Sequence, residues 1–155
     1  MSLFFAIGVD MKSKSNYGFS LIELLLVVVI IGIVAALAIP AFQKAVRAAE
    51  NGTTYATLRT ISSTQVGFFS QNSRFGTLPE LQRVLNNGLG TTVVDTVVRG
   101  RYTFEMVPVS PTPSDLASEY TITATRSFAD DVIYKYELTQ EGRIVQIFPA
   151  GSVQP

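Results

Sequence analysis

Few residues in this chain are equipped for chemistry. Among 155 residues there is no Cys and no His, which removes thiolate and disulfide chemistry, the commonest general base and the commonest zinc ligand. Carboxylates, hydroxyls and lysines remain, and two carboxylate positions stand out. Asp130 and Asp131 are adjacent acids that would suggest calcium, but that ion takes about six to eight oxygen ligands. Neighbours on a strand or turn seldom point the same way, and no Asp-x-Asp spacing or Gly-rich ligand loop surrounds the pair, so no metal site is assigned there. Glu23 is the other. It is the only charge in residues 19–42, and a carboxylate in such a segment, if it enters lipid, costs at least a few kcal/mol and finds a partner or marks function.

The remaining polar groups are less specific. Arg99 and Arg101 flank Gly100 and read as a solvated turn before an anion site. No Gly-rich phosphate loop and no nucleophile elbow is present, so an enzyme is not expected and no cofactor is implied. The balance of 12 basic and 12 acidic residues, without a run of either sign, gives no groove for nucleic acid. Six Tyr and ten Phe would serve mostly as core or interface, with stacking between subunits an open use for some.

The element that must position Glu23 is apolar and long. Residues 24–39 contain no charge and no side-chain hydrogen-bonding group, and residues 19–42 as one helix would measure roughly 36 Å against a hydrocarbon core of about 30 Å. Lys12 and Lys14 precede it, which favours a cytoplasmic N-terminal side and a C-terminal part across the membrane. Residues 1–10 look unlike the rest, and Met11 is the expected start. Three readings follow: a plain transmembrane anchor with Glu23 near the interface; a cleaved secretory signal ending at Ala36-Leu37-Ala38; or a processing and assembly segment. Helical sequence continuing past Ala38 speaks against the second.

The third reading rests on resemblance. Gly18-Phe19-Ser20-Leu21-Ile22-Glu23-Leu24, with a short basic leader before it and an unbroken apolar helix carrying Gly32 and Pro40 after it, resembles the class III signal segment of type IV pilins and prepilin-like proteins, and most of all a type IVa major pilin. The resemblance implies cleavage between Gly18 and Phe19 by a prepilin peptidase, N-methylation of the new Phe19 amine by the same enzyme, and pairing of Glu23 with the Phe19 amine of a neighbouring subunit. It is strong over residues 16–46, general through Leu78 and architectural beyond. Pilins often close a C-terminal loop with a disulfide; this chain has no Cys, so residues 149–155 must be held by packing or left loose. Gly32 and Pro40 are expected to loosen the helix locally, since Gly offers no side chain to pack and Pro removes a backbone hydrogen bond.

Beyond Pro40 the sequence turns amphipathic. Phe42, Val46, Ala49, Thr53 and Ala56, then Leu58, Ile61, Gln65 and Phe68, recur at helical spacing and predict one helix continuing to about Ser70. Thr77-Leu78-Pro79-Glu80 predicts a second start, with Thr77 as N-cap and Glu80 completing a capping box. Leu78, Leu81, Val84 and Leu85 would form its apolar face and Asn87-Gly88 its end. From Thr91 the period becomes two: an edge strand over 91–98, then strands around Tyr102–Met106, 120–125, 132–138 and 143–148, with residues 108–114 an exposed Pro-rich loop.

The expected fold is α+β and type IV pilin-like, a long N-terminal helix packed on an antiparallel meander. The expected organisation is a leader over 1–18, a transmembrane and filament-core helix over 19–42, and a periplasmic or extracellular head over 43–155. The resemblance implies a structural subunit of a type IV pilus: a single-pass precursor in the bacterial inner membrane, then a homo-oligomer in an extracellular helical filament. Its implied partners are the membrane, the prepilin peptidase and methyltransferase, and the pilus assembly platform and ATPase. A pseudopilin of a type II secretion or DNA-uptake system shares the same N-terminal chemistry, though the calcium loop common in major secretion pseudopilins is not evident. A membrane-anchored binding module that never polymerises is the alternative of a different kind.

Overall fold

The computed structural model describes residues 18–128 and 131–149. Met11, Lys12, Lys14, Asp130 and residues 150–155 lie outside the described residues. The chain divides into two compact units that meet between Gln43 and Lys44.

Helix α1 runs over Leu21–Asn72 with Pro40 inside it. In the first unit its residues are open: apart from the half-buried Ala35, every residue from Gly18 to Gln43 is exposed. The helix is long and apolar enough there to cross a membrane.

The second unit contains the rest of α1, helix α2 (Leu78–Val84) and six strands. These are β1 (Thr91–Val93), β2 (Thr96–Arg99), β3 (Tyr102–Met106), β4 (Thr121–Phe128), β5 (Asp131–Thr139) and β6 (Ile144–Phe148), paired antiparallel in the order β1-β2-β3-β4-β5-β6. Alternation sets the buried face. Val97, Phe104, Ala124 and Tyr136 lie opposite one another across four strands, and Met106, Ile122, Leu138 and Ile144 form a second row. All eight are buried, as period-two residues on one face must be. Leu58 and Ile61 of α1 and Leu78 and Leu81 of α2 complete this core. The architecture is α+β, a long N-terminal helix whose later part packs on an antiparallel meander, in the manner of a type IV pilin.

Several local expectations hold. Thr77 caps α2, its hydroxyl accepting from the Glu80 N–H while the Glu80 carboxylate accepts from the Thr77 N–H. The Pro-bearing loop between β3 and β4 is largely exposed. Three differ. The predicted edge strand over 91–98 is a hairpin, β1 and β2, turning at Val94-Asp95. Its turn lacks the usual Gly or Asn and is held by the Thr96 hydroxyl donating to the Val93 carbonyl (2.9 Å) and Ser110 donating to Asp95 (2.9 Å); Val94 itself sits at φ 56°. Helix α2 stops at Val84, before Asn87, and Val84 is exposed while the polar Gln82 is buried. Finally, the stripe from Phe42 to Ala56 is not the docked face. Phe42, Ala49, Thr53 and Ala56 are exposed, whereas Glu50, Asn51, Thr54 and Thr57 face inward.

That offset has a physical cause. Glu50 accepts from Arg126 of β4 at 2.5 Å, and the Tyr102 hydroxyl of β3 donates to Asn51 Oδ1 at 2.6 Å. Inward-facing threonines need no partner on the sheet, because Thr54 and Thr57 donate to the helix carbonyls of Glu50 and Thr53. Alanine on the outer face loses little by exposure, so the pairing of Glu50 and Asn51 sets which side docks.

Candidate processing and assembly site

At the start of α1 the sequence builds a helix cap. Ser20 precedes the first helical residue, and its carbonyl accepts from the Leu24 N–H at 3.2 Å. Glu23 lies one turn in and its Oε2 accepts from the Ser20 N–H at 2.9 Å, the reaching-back arm of a capping box. A carboxylate in the first turn also faces the positive end of the helix dipole. The Oε1 atom has no partner among the described residues. Phe19 is 91% exposed, and Phe19, Ile22, Leu26 and Val27 form the apolar surround of the carboxylate. Glu23 is thus held locally by one oxygen and presented by the other.

Of the other residues singled out, Gly32 and Pro40 are not brought near this site. They follow Glu23 by nine and seventeen residues, roughly 14 and 26 Å along a helix. A Cβ at Gly32 would meet nothing, and α1 is continuous through both positions, although Pro40 cannot donate to the Ala36 carbonyl. Their expected loosening concerns packed subunits.

The residues to which sequence reasoning gave no polar role lie in the second unit and are structural. Gln65, fully buried, donates to the Gly76 carbonyl and accepts from the Gly76 N–H, both at 2.7 Å, so one amide seals the turn after α1. Gln82 does the same for the Leu89 N–H and the Gly90 carbonyl. Burial pushes the Tyr102 phenol well above its ordinary pKa, with the neighbouring Tyr136 adding to the effect, so it stays a donor to Asn51 at any physiological pH. The signal was available: a Gln at helical spacing inside an apolar stripe is a polar group destined for burial, and buried polar groups are paired.

Comparison with known proteins now bears on the N-terminal geometry. The prokaryotic N-terminal methylation motif matches residues 13–39, a span that contains Gly18, Phe19, Glu23 and Gly32 and ends one residue before Pro40. The type IV major pilin protein PilA of Myxococcus xanthus (strain DK1622) is 43% identical over 60 residues. Over its N-terminal segment the chain is similar to type IV pilins. The match to the Myxococcus pilin covers 39% of this chain and 27% of that protein's length, so the likeness lies in a part of each. The pilin family is structural and is not an enzyme family. Among the described residues, no three acidic side chains converge on a point that could hold a metal ion.

Proposed function

We propose that this chain is the subunit of a type IV pilus, made as a membrane-anchored precursor and assembled through α1. A prepilin peptidase hydrolyses the Gly18–Phe19 peptide bond and methylates the amine so exposed on Phe19. The leader comprises residues 1–18, the filament-core and membrane helix residues 19–42, and the head residues 43–155. Before assembly the helix holds the subunit in the inner membrane, with the head on the far side. An assembly ATPase and platform protein then move it into a homo-oligomeric helical filament outside the cell.

One observation carries this reading: beside Phe19, at the head of an apolar helix left exposed by the described residues, stands a carboxylate with one oxygen that has no partner among them. In a filament the amine of another subunit's Phe19 supplies the counter-charge. Without it Glu23 would be a buried, unpaired charge among packed helices, which is strongly unfavourable. The apolar surface is buried first by lipid and then by its copies.

Mass spectrometry of the protein recovered from cells tests the proposal. The expected N-terminus is Phe19 carrying one methyl group, in material recovered from extracellular filaments. An uncut chain, or one beginning at Ile39 after signal cleavage, would sink it.

A further inference from the structure

The sequence holds two Asn-Gly pairs, and the fold treats them in opposite ways. Asn51-Gly52 lies inside α1, where the Gly52 N–H belongs to the helix ladder. The Asn51 amide is fixed as well, its Oδ1 accepting from the Tyr102 hydroxyl at 2.6 Å. Asn87-Gly88 lies in the turn after α2, and both residues are exposed. The Asn87 side chain has no hydrogen-bond partner among the described residues. Asn86 and Asn87 follow one another at φ 48° and 63°, a left-handed backbone that Asn tolerates better than most side chains do.

The turn itself imposes the second pair. The Asn87 N–H donates to the Gln82 carbonyl at 2.8 Å and the Gly88 N–H to the Leu85 carbonyl at 2.9 Å. A Cβ at position 88 would lie 2.9 Å from the Leu85 carbonyl oxygen, so close an approach keeps Gly there. Gly is also the residue that leaves its own nitrogen unobstructed for attack on the amide before it.

We propose that Asn87 is a site of spontaneous deamidation, with water as the only co-reactant. When the turn opens, the Gly88 nitrogen gives up its proton to solvent base and attacks Asn87 Cγ. The new N–Cγ bond closes a cyclic succinimide while the Cγ–Nδ2 bond breaks, and Nδ2 takes up a proton and leaves as ammonia. Water then opens the ring at either carbonyl. Opening at Cγ leaves the ordinary main chain with Asp at this position; opening at the backbone carbonyl carbon reroutes the main chain through Cβ and Cγ as isoaspartate. Either product adds a carboxylate to the exposed turn, one residue before the Gly88 carbonyl to which the Arg99 guanidinium donates at 3.2 Å. Opening an exposed turn is a local event, whereas Asn51 waits on helix bonds and on the Tyr102 bond that docks α1 on the sheet. The site lies within the second unit and does not depend on filament assembly.

The test incubates the full chain in detergent and mildly alkaline buffer, with circular dichroism to verify the fold, and follows both pairs by peptide mass spectrometry. Cleavage at Arg47, Arg59, Arg83 and Arg99 places the pairs on separate peptides, and electron-transfer fragmentation distinguishes isoaspartate from Asp and Asn87 from Asn86. In the folded chain Asn87 should convert faster than Asn51 by roughly 10-fold or more, since the opening that Asn51 requires breaks several hydrogen bonds, each contributing about 1 in units that make 1.4 a tenfold change. In denaturant both pairs lie in open chain and the gap should close. Equal rates in the folded chain, or conversion of Asn87 in denaturant alone, overturns the proposal.

Discussion

Two helix starts in this chain carry the same four-residue pattern and end differently. At Thr77-Leu78-Pro79-Glu80 the carboxylate accepts from its own N-cap and also from Arg74, whose two terminal nitrogens reach both oxygens at 2.9 and 2.6 Å. At Ser20-Leu21-Ile22-Glu23 the carboxylate accepts from its N-cap N–H and has no cation among the described residues. The first is complete within one chain. The second has only the reaching-back arm of that cap, from the Ser20 N–H to Glu23, and lacks a counter-charge among the described residues, which is what a site that pairs with another molecule requires.

The same contrast runs through α1 itself. Up to Gln43 it offers Leu, Val and Ile to whatever surrounds it; after Lys44 it docks on the sheet with Glu50, Asn51 and Thr54 before reaching Leu58 and Ile61. Apolar residues left exposed by their own fold are covered by something else, and polar residues turned inward are there because partners were built for them.

The largest expected effect breaks the comparison of the two caps. Glu23→Ala should abolish filaments while leaving monomer in the membrane and the head's denaturation midpoint unchanged, as measured by electron microscopy of sheared cells and by denaturant titration in detergent. Filaments at wild-type abundance would show that Glu23 is a cap and nothing more.

Next in size is a pair of equal truncations on the two parts of α1. Ile61 is fully buried and Ile30 is 52% exposed. Ile61→Ala should destabilise the head by about 2–5 kcal/mol, whereas Ile30→Ala should move it by less than about 0.5 kcal/mol. In the chain beginning at Phe19, near-UV circular dichroism of the tyrosines follows the head alone, because the five Tyr other than Tyr17 all lie beyond Gln43.

A smaller effect tests whether polar docking is as specific as it looks. Glu50→Ala leaves Arg126, with 8% of its side chain exposed, without its carboxylate and should cost about 2–4 kcal/mol. Adding Arg126→Met should recover much of that loss, since an apolar replacement of similar length removes the stranded charge. No recovery in the double variant would mean that Glu50 acts through Arg101 instead.

Much of this was legible in the sequence because local rules agreed with tertiary packing. The capping box at Thr77, the alternation in β3 and β4, and the length of the apolar helix each follow from spacing alone. The docked face of α1 was not legible, because Phe42 and Val46 point to one stripe while Glu50 and Asn51 are claimed by Arg126 and Tyr102, more than fifty residues away in sequence. The turn at Val94-Asp95 was hidden for a related reason: two Val before an Asp read as strand, and the bonds from Thr96 and Ser110 that hold the turn are made only in the fold. Of the N-terminal site, the motif was visible from residue types; the use of Glu23 as a cap was equally written in Ser20-x-x-Glu23 and is seen once the helix is known to begin at Leu21.

The smallest effect is a pH profile that sharpens the first comparison. Hydrogen bonding to Arg74 comes first among the causes that hold the Glu80 carboxyl at about 2, against an ordinary value of 4.5, with Thr77 contributing and burial opposing. The folded value lies below the unfolded one, so the unfolded chain takes up the proton first as pH falls. The stabilisation is therefore fully present above about pH 4.5 and is lost progressively toward about pH 2. Because the pair is partly solvated, with about a quarter of each side chain exposed, the loss should be about 1–2 kcal/mol and not the full value of the shift. Glu80→Gln should lower stability by that amount at neutral pH and flatten the profile between pH 4.5 and 2, measured by denaturant titration across that range. Glu23 has no such cation among the described residues, so Glu23→Gln should leave the head's acid profile as it is in the wild type; a profile flattened by Glu23→Gln as well would mean that the two caps are coupled and that the N-terminal carboxylate already has its partner.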